Sequence, residues 1–394
     1  MNSAGIDALC DSVTGVGEGT VRVEVTAGLG TLPSLETEWR ELFDRTVVEP
    51  SVSFGWTQAL AQTQLAARDR TFMVVLRRGG RLAGVVPLYA RGTLVFGQWH
   101  HILRPLAELK NTHSDLLLAD HSPELVSAFL GALPSIGYRW DSLRISKLVD
   151  GHSLIPAVET SAASLGLHPR RRFRKAVYWI PLPASFADYL AARSSKFRNY
   201  ARRAERKLRS CGRLDIREVT GADGFDEGYE ALLQIERASW KEAHRTSIAA
   251  DAKQAALYRT WGRAEAAGGH LHLQLLFLDG QPIAHNLGCI HRGTYYYLKT
   301  SYAAAHRPQS PATFLRLRLI ETMIARGVRT IDFCGTPYVW EQQWADRHRW
   351  HHVLSVYANT WRGRILAGLD RWTHYSSSGD AVEHEDPRTQ RPQD

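Results

Sequence analysis

The stretch LHLQLLFLDGQPIAHNLGCIHRGTYYY, Leu271 to Tyr297, reads as two apolar strands around a Gly-containing turn, followed by a second turn and a third strand. The same reading fits TFMVVLRRGGRLAGVVPLYARGTLVF, Thr71 to Phe96. Ala83 stands eight residues before Arg91-Gly92-Thr93, and Ala284 eight before Arg292-Gly293-Thr294, so one offset of 201 residues relates the pair. A repeated strand–turn–strand context points to duplication. Two similar domains are expected, each built on an antiparallel meander. Amphipathic periods predict helices over Leu35–Phe43 and Glu124–Leu133, then over Phe186–Arg209, Phe225–Glu242 and Ala252–Ala266. His168-Pro169 and Pro181-Leu182-Pro183 interrupt the pattern between the two sets. The expected division is a flexible segment 1–20, an N-terminal domain 21–175, a C-terminal domain 176–375 and a disordered tail 376–394. The fold class is α/β, with mostly antiparallel central sheets flanked by helices.

Composition agrees with a folded chain of this size. With 12 Trp, 14 Tyr and 12 Phe in 394 residues, disorder over most of the length is excluded. No apolar run reaches about 18 residues, and no cationic patch followed by an apolar run opens the chain, so neither a membrane span nor a signal peptide is expected. Cys10, Cys211, Cys289 and Cys334 are scattered without a CxxC, as reduced thiols in a cytoplasmic protein would be. Of the 49 cationic side chains only eight are lysine, leaving 41 arginines and a formal charge of +9. Such a surface suits an anionic partner: coenzyme A, an acidic carrier protein, RNA or a lipid headgroup. A GC-rich coding bias gives the same excess.

The segment Thr294 to Gly335 carries the most information. A strand over Tyr295–Tyr302 would set Tyr295, Tyr297, Lys299 and Ser301 on one face. A polar loop follows, and Ser310-Pro311 reads as a helix start, with Ser as N-cap and Pro at the first helical position. Phe314, Leu315, Leu319, Met323 and Ile324 give that helix a core face, Gly327 ends it, and Val328–Phe333 is the next strand. A strand, loop and helix N-terminus in this order can hold a pyrophosphate on backbone N–H groups. No GxGxxG or GxxxxGK[ST] is present, and GxSxG is absent too. The first half lacks a visible counterpart of Ser310-Pro311.

The duplicated meander, the Arg-rich helix, Glu236-Arg237-Ala238-Ser239-Trp240-Lys241, Ser310-Pro311 and Ile331-Asp332-Phe333-Cys334-Gly335 together resemble the GNAT superfamily. Within it they look like the CelD/BcsL-type acetyltransferases linked to cellulose biosynthesis, which carry two GNAT-like folds. More distantly the chain is similar to the Fem-type aminoacyl transferases of peptidoglycan. The resemblance covers roughly residues 20 to 372. It implies tandem GNAT-like domains, the first degenerate and on the acceptor side, the second binding the donor and carrying catalysis. The reaction implied is acyl transfer from an acyl thioester (acetyl-CoA, a longer acyl-CoA or an acyl carrier protein) or from aminoacyl-tRNA. The acceptor would be an amine or hydroxyl of a small molecule, peptide or glycan. Donor binding would fall on Tyr297, Lys299, Thr300, Arg307, Ser310 and Ala312. The family's phosphate loop usually reads Q/R-x-x-G-x-G/A, whereas Arg307-Pro308-Gln309-Ser310-Pro311-Ala312 contains no glycine, which leaves CoA, carrier protein and tRNA all open.

The Arg193–Arg209 helix, with Arg198, Arg202 and Arg203, is either a docking surface for that donor or a solvated cationic face. Aromatics do not interleave with its arginines, so DNA is not an expected partner. Transfer needs a proton acceptor and an oxyanion partner. Glu236, read as mid-helix beside Trp240, would have a raised pKa and act as base, or else pair with Lys241. Asp332, on a buried strand, needs a cation or caps a loop. In Asn111-Thr112-His113-Ser114-Asp115, the Fem-like resemblance implies a domain-one aspartate near the acceptor, making Asp115 and His113 candidates. Lys299 stabilises an oxyanion or simply snorkels. His348 and His352 stand four apart, but neither an HExxH glutamate nor a cysteine pair accompanies them, so no metal is expected. A non-catalytic GNAT-fold module binding an anionic partner is the alternative to an enzyme.

Overall fold

The computed structural model describes residues 10–14, 20–95, 97–110, 113–335, 339–345 and 347–372. The tail expected to be disordered from 376, and Asn111 and Thr112, lie outside the described residues. In the first unit the chain forms β1 (Cys10–Thr14), β2 (Val21–Ala27), α1 (Glu36–Arg45), α2 (Phe54–Thr63), β3 (Arg70–Arg78), β4 (Arg81–Val95) and β5 (Gln98–Pro105). β6 (Leu117–Leu118), α3 (Pro123–Ala132), β7 (Ser142–Val149), α4 (Leu154–Ser164) and β8 (His168–Pro181) follow. Next come α5 (Phe186–Ala191), α6 (Ser195–Arg209), β9 (Leu214–Val219), α7 (Phe225–Arg237), α8 (Trp240–Ala243) and α9 (Ala252–Ala267). The last elements are β10 (Leu271–Leu278), β11 (Gln281–His291), β12 (Thr294–Tyr302), α10 (Pro311–Ala325), β13 (Thr330–Asp332), β14 (Arg347–Tyr357) and α11 (Trp361–Trp372). Cys10–Thr14 pairs with β2, so part of the segment expected to be flexible is a strand.

Among the described residues, one compact unit comprises those up to 175 together with 350–372, and the other comprises 176–349. The sheet of the first runs β1-β2-β3-β4-β5-β7-β14, with β6 on β4. Its meander is antiparallel, β5 and β7 are parallel, and β14 closes it antiparallel to β7. The sheet of the second runs β9-β10-β11-β12-β13-β8. It has the same plan: an antiparallel meander, the parallel pair β12–β13, and an antiparallel closing strand. Each unit inserts helices after its first meander strand and one long helix before its parallel strand, α3 in the first and α10 in the second. The duplication expected from sequence is thus present as topology.

Three details differ from expectation. The C-terminal domain does not run to 375, because His351–Tyr357 pairs with β7 of the first unit. That strand covers an edge whose Leu143, Ile145 and Leu148 are all buried, and an open apolar edge would invite intermolecular pairing. Arg-Gly-Thr is not an equivalent site in the two units. Arg91–Thr93 lies inside β4 opposite His100–Ile102, whereas Arg292 and Gly293 form the β11–β12 turn with φ of 48° and 76°. The hairpins correspond instead through Leu76 opposite Gly84 and Leu276 opposite Ala284, each followed by a register slip. Their turns, Gly79-Gly80 and Asp279-Gly280, all have positive φ, as tight hairpins require. Finally, the first half does contain a counterpart of Ser310-Pro311: α3 begins Ser122-Pro123.

β12 carries a bulge. Leu287 opposes Lys299 and Gly288 opposes Tyr297, leaving Leu298 without a register partner on β11. Gly288 is required there. A Cβ would lie 2.4 Å from the Tyr296 carbonyl oxygen and 2.5 Å from Tyr295 Cζ, and neither backbone nor buried ring can move aside. Gly288→Ala is therefore expected to lower stability by about 1–3 kcal/mol, read as a reduced urea midpoint with an unchanged m-value. An unaltered midpoint would show that β12 yields at the bulge.

Candidate active site

The apolar stripe of α7 runs through Phe225, Tyr229, Leu232 and Glu236, at spacings of four, three and four. A carboxylate thus falls on the core face of the helix. It lies in the last turn rather than mid-helix, and it is fully buried. Glu236 Oε1 is 2.8 Å from His285 Nε2, and Oε2 accepts from Ile248 N at 3.0 Å. Burial pushes this carboxyl up, but the His285 hydrogen bond, the Lys241 charge, the His285 ring and the Ile248 N–H outweigh it and bring it down to about 2. The expected raised pKa is overturned. The Trp240 ring packs edge-on against His244 at 5.8 Å.

His285, mid-strand on β11, is fully buried. Burial lowers its pKa, Lys241 and Lys299 lower it further, and Glu236 opposes them. At neutral pH it is a neutral imidazole donating from Nε2 to an ionised carboxylate. Its Nδ1 has no hydrogen-bond partner among the described residues, and neither has the hydroxyl of Ser301, the residue directly opposite on β12. Lys299 shares that sheet face, with Nζ 5.6 Å from the Tyr258 ring centroid, and Lys241 Nζ donates to the Thr300 carbonyl at 2.8 Å. The structure therefore groups Glu236 and Lys299 with two residues that the sequence reading did not single out for chemistry, His285 and Ser301. A histidine inside Ile283-Ala284-His285-Asn286-Leu287 was the available signal.

The bulge at Leu298 divides the expected donor set. Tyr297 and Thr300 project to the opposite face from Lys299 and Ser301. There the Tyr297 hydroxyl donates to Asn286 Oδ1 at 2.5 Å, Thr300 Oγ1 donates to the same oxygen at 3.1 Å, and Arg316 Nε donates to Tyr297 at 3.4 Å. Lys299 does not belong with them. The one-face reading of Tyr295, Tyr297, Lys299 and Ser301 fails because a bulge breaks the two-residue period.

Arg307, Ser310 and Ala312 lie where β12 turns into α10. Ser310 has φ 55° and ψ 51°, and its side chain does not cap the helix, unlike Ser122, which accepts from Leu125 N at 3.4 Å. The N-cap expected at Ser310 is thus positional only. α6 packs beside this turn: Tyr200 and Thr313 hydroxyls are 3.0 Å apart, and the Arg209 guanidinium lies over Phe314. Arg202, Arg203 and Arg307 are exposed. Arg198 is half-buried and donates to the Ala191 and Arg193 carbonyls, so it holds the α5–α6 connection.

β12 and β13 pair only over Thr294–Tyr296 and Thr330–Asp332. Beyond this, Phe333 N donates to the Tyr178 carbonyl at 3.1 Å, following β8, while β12 runs on to Tyr302 beside β11. The strands open into a fork. Tyr297, Phe333 and Trp340 pack edge to face at its base, and Arg316 stacks 3.7 Å from the Trp340 centroid. Asp332 has the cation it needs in Arg349, and its Oδ1 accepts from Cys334 N at 2.7 Å, holding Cys334 at φ 64°. Asp332 thus has a charge partner and caps the loop at Cys334.

Asp115 and His113 belong to the first unit, in a histidine cluster. His121 and His152 face the Asp115 carboxylate at 3.5 and 3.3 Å, and Leu116 N donates to it at 2.8 Å. Burial would raise this carboxyl, but the two imidazoles outweigh burial and hold it below the usual range. His113 Nδ1 is 2.8 Å from His351 Nε2.

Residues 195–343 match the family model described as an acetyltransferase (GNAT) domain. No curated protein sequence matches the chain. Among solved structures, FemX is 12% identical with a TM-score of 0.56, over 87% of this chain and 99% of that one. The C-terminal DUF2156 domain of a protein assigned as a lysylphosphatidylglycerol synthetase in Agrobacterium fabrum is also 12% identical, with a TM-score of 0.52, over 86% and 96%. At such identities the likeness is one of fold. That fold is two tandem GNAT-like domains. No helix of the described residues is long and apolar enough to cross a membrane.

Proposed function

We propose that the second unit is an acyltransferase, taking a short acyl or aminoacyl group from an anionic donor to an amine or hydroxyl. The observation that carries this is the coincidence, inside the stretch matching the GNAT model, of an uncapped α10 N-terminus, the exposed arginines of α6 and the fork between β12 and β13. Donor phosphates would rest on the first turn of α10 and on Arg202, Arg203 and Arg307. The reacting carbonyl would enter the fork along the free edge of β12. Aromatic packing of Tyr297, Phe333 and Trp340 favours an acetyl-sized or aminoacyl group over a long fatty chain. His285, oriented by Glu236, would accept the acceptor's proton, and Lys299, on the same sheet face, would meet the developing oxyanion. An acyl-CoA donor and a CelD/BcsL-type role are the leading forms of this reading. Aminoacyl-tRNA is the second, supported by the breadth of the α6 cationic face and by the glycine-free loop, which suit a polyanion as well as a pyrophosphate. Asp115 and His113 would act on the acceptor side.

The test is incubation of the full chain with a panel of acyl-CoAs and with charged tRNAs, followed by mass spectrometry of bound and transferred groups. Transfer from a short-chain CoA supports the first form and from tRNA the second; retention of neither overturns the enzyme reading. With the donor in hand, Arg202→Glu with Arg203→Glu is expected to raise donor KM at least about 10-fold at low salt and far less at high salt, with kcat little changed. Equal KM values at both ionic strengths would return α6 to a solvated face.

A further inference from the structure

We infer that Glu265, Cys289 and His291, with His270 at the rim, form a zinc site that ties the end of α9 to the β10–β11 hairpin. This is contrary to the absence of metal expected from sequence. One ligand atom from each of Glu265, Cys289 and His291 lies within 4.8 Å of the other two, and all three residues are buried. Glu265 Oε2 is 2.8 Å from His291 Nε2 and 3.8 Å from His270 Nδ1. The two imidazoles are stacked, with ring centroids 4.3 Å apart and planes at 28°.

Local structure explains how three donors meet with His270 beside them. Cys289 and His291, two apart on β11, project to the same face. The α9 stripe through Tyr258, Trp261 and Glu265 lays a carboxylate over that face. His270 sits between α9 and β10 and is tied to α9 and to β11: its N–H donates to the Glu265 carbonyl at 2.9 Å, and its carbonyl accepts from Ile290 N at 2.8 Å. The backbone therefore holds all four residues before any ion arrives, so little ordering remains to oppose binding.

The donor set selects the ion. Thiolate, imidazole and carboxylate together suit zinc, whereas magnesium and calcium favour all-oxygen sets and copper(I) favours soft sulfur. Tetrahedral zinc with N and O donors at about 2.0–2.1 Å needs them roughly 3.3 Å apart, so the Glu265–His291 pair opens by only about half an ångström. Cys289 gives up its thiol proton to solvent as the Zn–S bond forms, and the proton between His291 Nε2 and Glu265 Oε2 passes to His291 Nδ1, so that the imidazole stays neutral and both atoms are released to the metal. One thiolate and one carboxylate against a dication leave the filled site neutral, which matters where three of four ligands are buried. The site lies four to six residues along β11 from His285, about 13–20 Å, and is separate from the proposed chemistry.

The experiment uses tag-free full-length protein, loaded with zinc chloride, passed through gel filtration and analysed by mass spectrometry for metal, with a parallel cobalt(II) sample read by absorbance. The expected result is about one zinc per chain, and a cobalt form showing both tetrahedral d–d bands and a thiolate charge-transfer band. Cys289→Ser should remove the charge-transfer band, and His270→Ala, a change at a half-exposed rim residue, should weaken zinc binding about 10- to 100-fold without unfolding. Cys211→Ser, at an exposed thiol, should leave every signal intact. Wild-type protein that holds no zinc after gel filtration overturns the site, as does a charge-transfer band that survives Cys289→Ser or is lost in Cys211→Ser.

Discussion

His285→Gln is expected to lower kcat for transfer by about 10²- to 10⁴-fold, with donor KM within about twofold of wild type. Glutamine keeps the volume and can still donate to Glu236 Oε1, which sits 2.8 Å from the native ring nitrogen, but it has no nitrogen able to accept a proton. The pH profile gives an independent reading. Burial, then the Lys241 and Lys299 charges, set the His285 pKa below its usual 6.5. A base must be unprotonated to work, so wild-type kcat should be flat above about pH 6.5 and fall only in more acid solution. Glu236 is the group that opposes this lowering. Glu236→Gln should therefore move the acid limb to still lower pH and reduce kcat less than His285→Gln does, as befits a positioning residue. If His285→Gln keeps full kcat while Asp332→Asn or Asp115→Asn loses it, the proton acceptor lies elsewhere and the assignment is wrong.

The strands and their hairpins were legible because apolar runs, Gly turns and meander spacing are local signals. What closes each sheet was not. β14 returns to β7 across about 200 residues, and nothing in Arg347–Tyr357 itself names its partner. Identity of letters misled as well: Arg-Gly-Thr is a turn in one unit and strand interior in the other, while the real correspondence, Leu76/Gly84 with Leu276/Ala284, shares little sequence. Ser122-Pro123 escaped notice because a long connection containing β6 separates it from the first meander, whereas Ser310-Pro311 follows β12 closely. In the site, Glu236 was found but its environment inverted. A carboxylate beside an apolar run suggests a raised pKa only while its partners are unknown. His285 comes from 49 residues away, through sheet register rather than sequence. The bulge at Leu298 likewise depends on Gly288 across the strand pair, so no period read along β12 alone could place Lys299 and Tyr297 on opposite faces.

The depressed Glu236 carboxyl also predicts how the second unit responds to acid. Its pKa falls from 4.5 to about 2 on folding, because His285, Lys241 and Ile248 N–H together outweigh burial. Between those values the unfolded chain binds the proton and the folded one does not, so stability rises with pH across the window. The contribution is fully present above about pH 4.5–5 and is lost as pH falls towards 2. At about 1.4 kcal/mol per pKa unit it amounts to about 3 kcal/mol, large against the 5–15 kcal/mol of a typical domain. Glu236→Gln imitates the protonated state at every pH. It should therefore match wild type near pH 2 and fall behind it as pH rises, by about 3 kcal/mol at neutrality, in urea titrations of the full chain followed by tryptophan fluorescence. Parallel curves for the two proteins between pH 2 and 5 would mean that the folded state does not hold this carboxylate ionised. A neutral Glu236 could not impose the Nε2–H tautomer on His285, and the imidazole would lose the hydrogen bond that leaves Nδ1 unprotonated. The acid titration thus tests, without any substrate, the same hydrogen bond on which the proposed proton transfer depends.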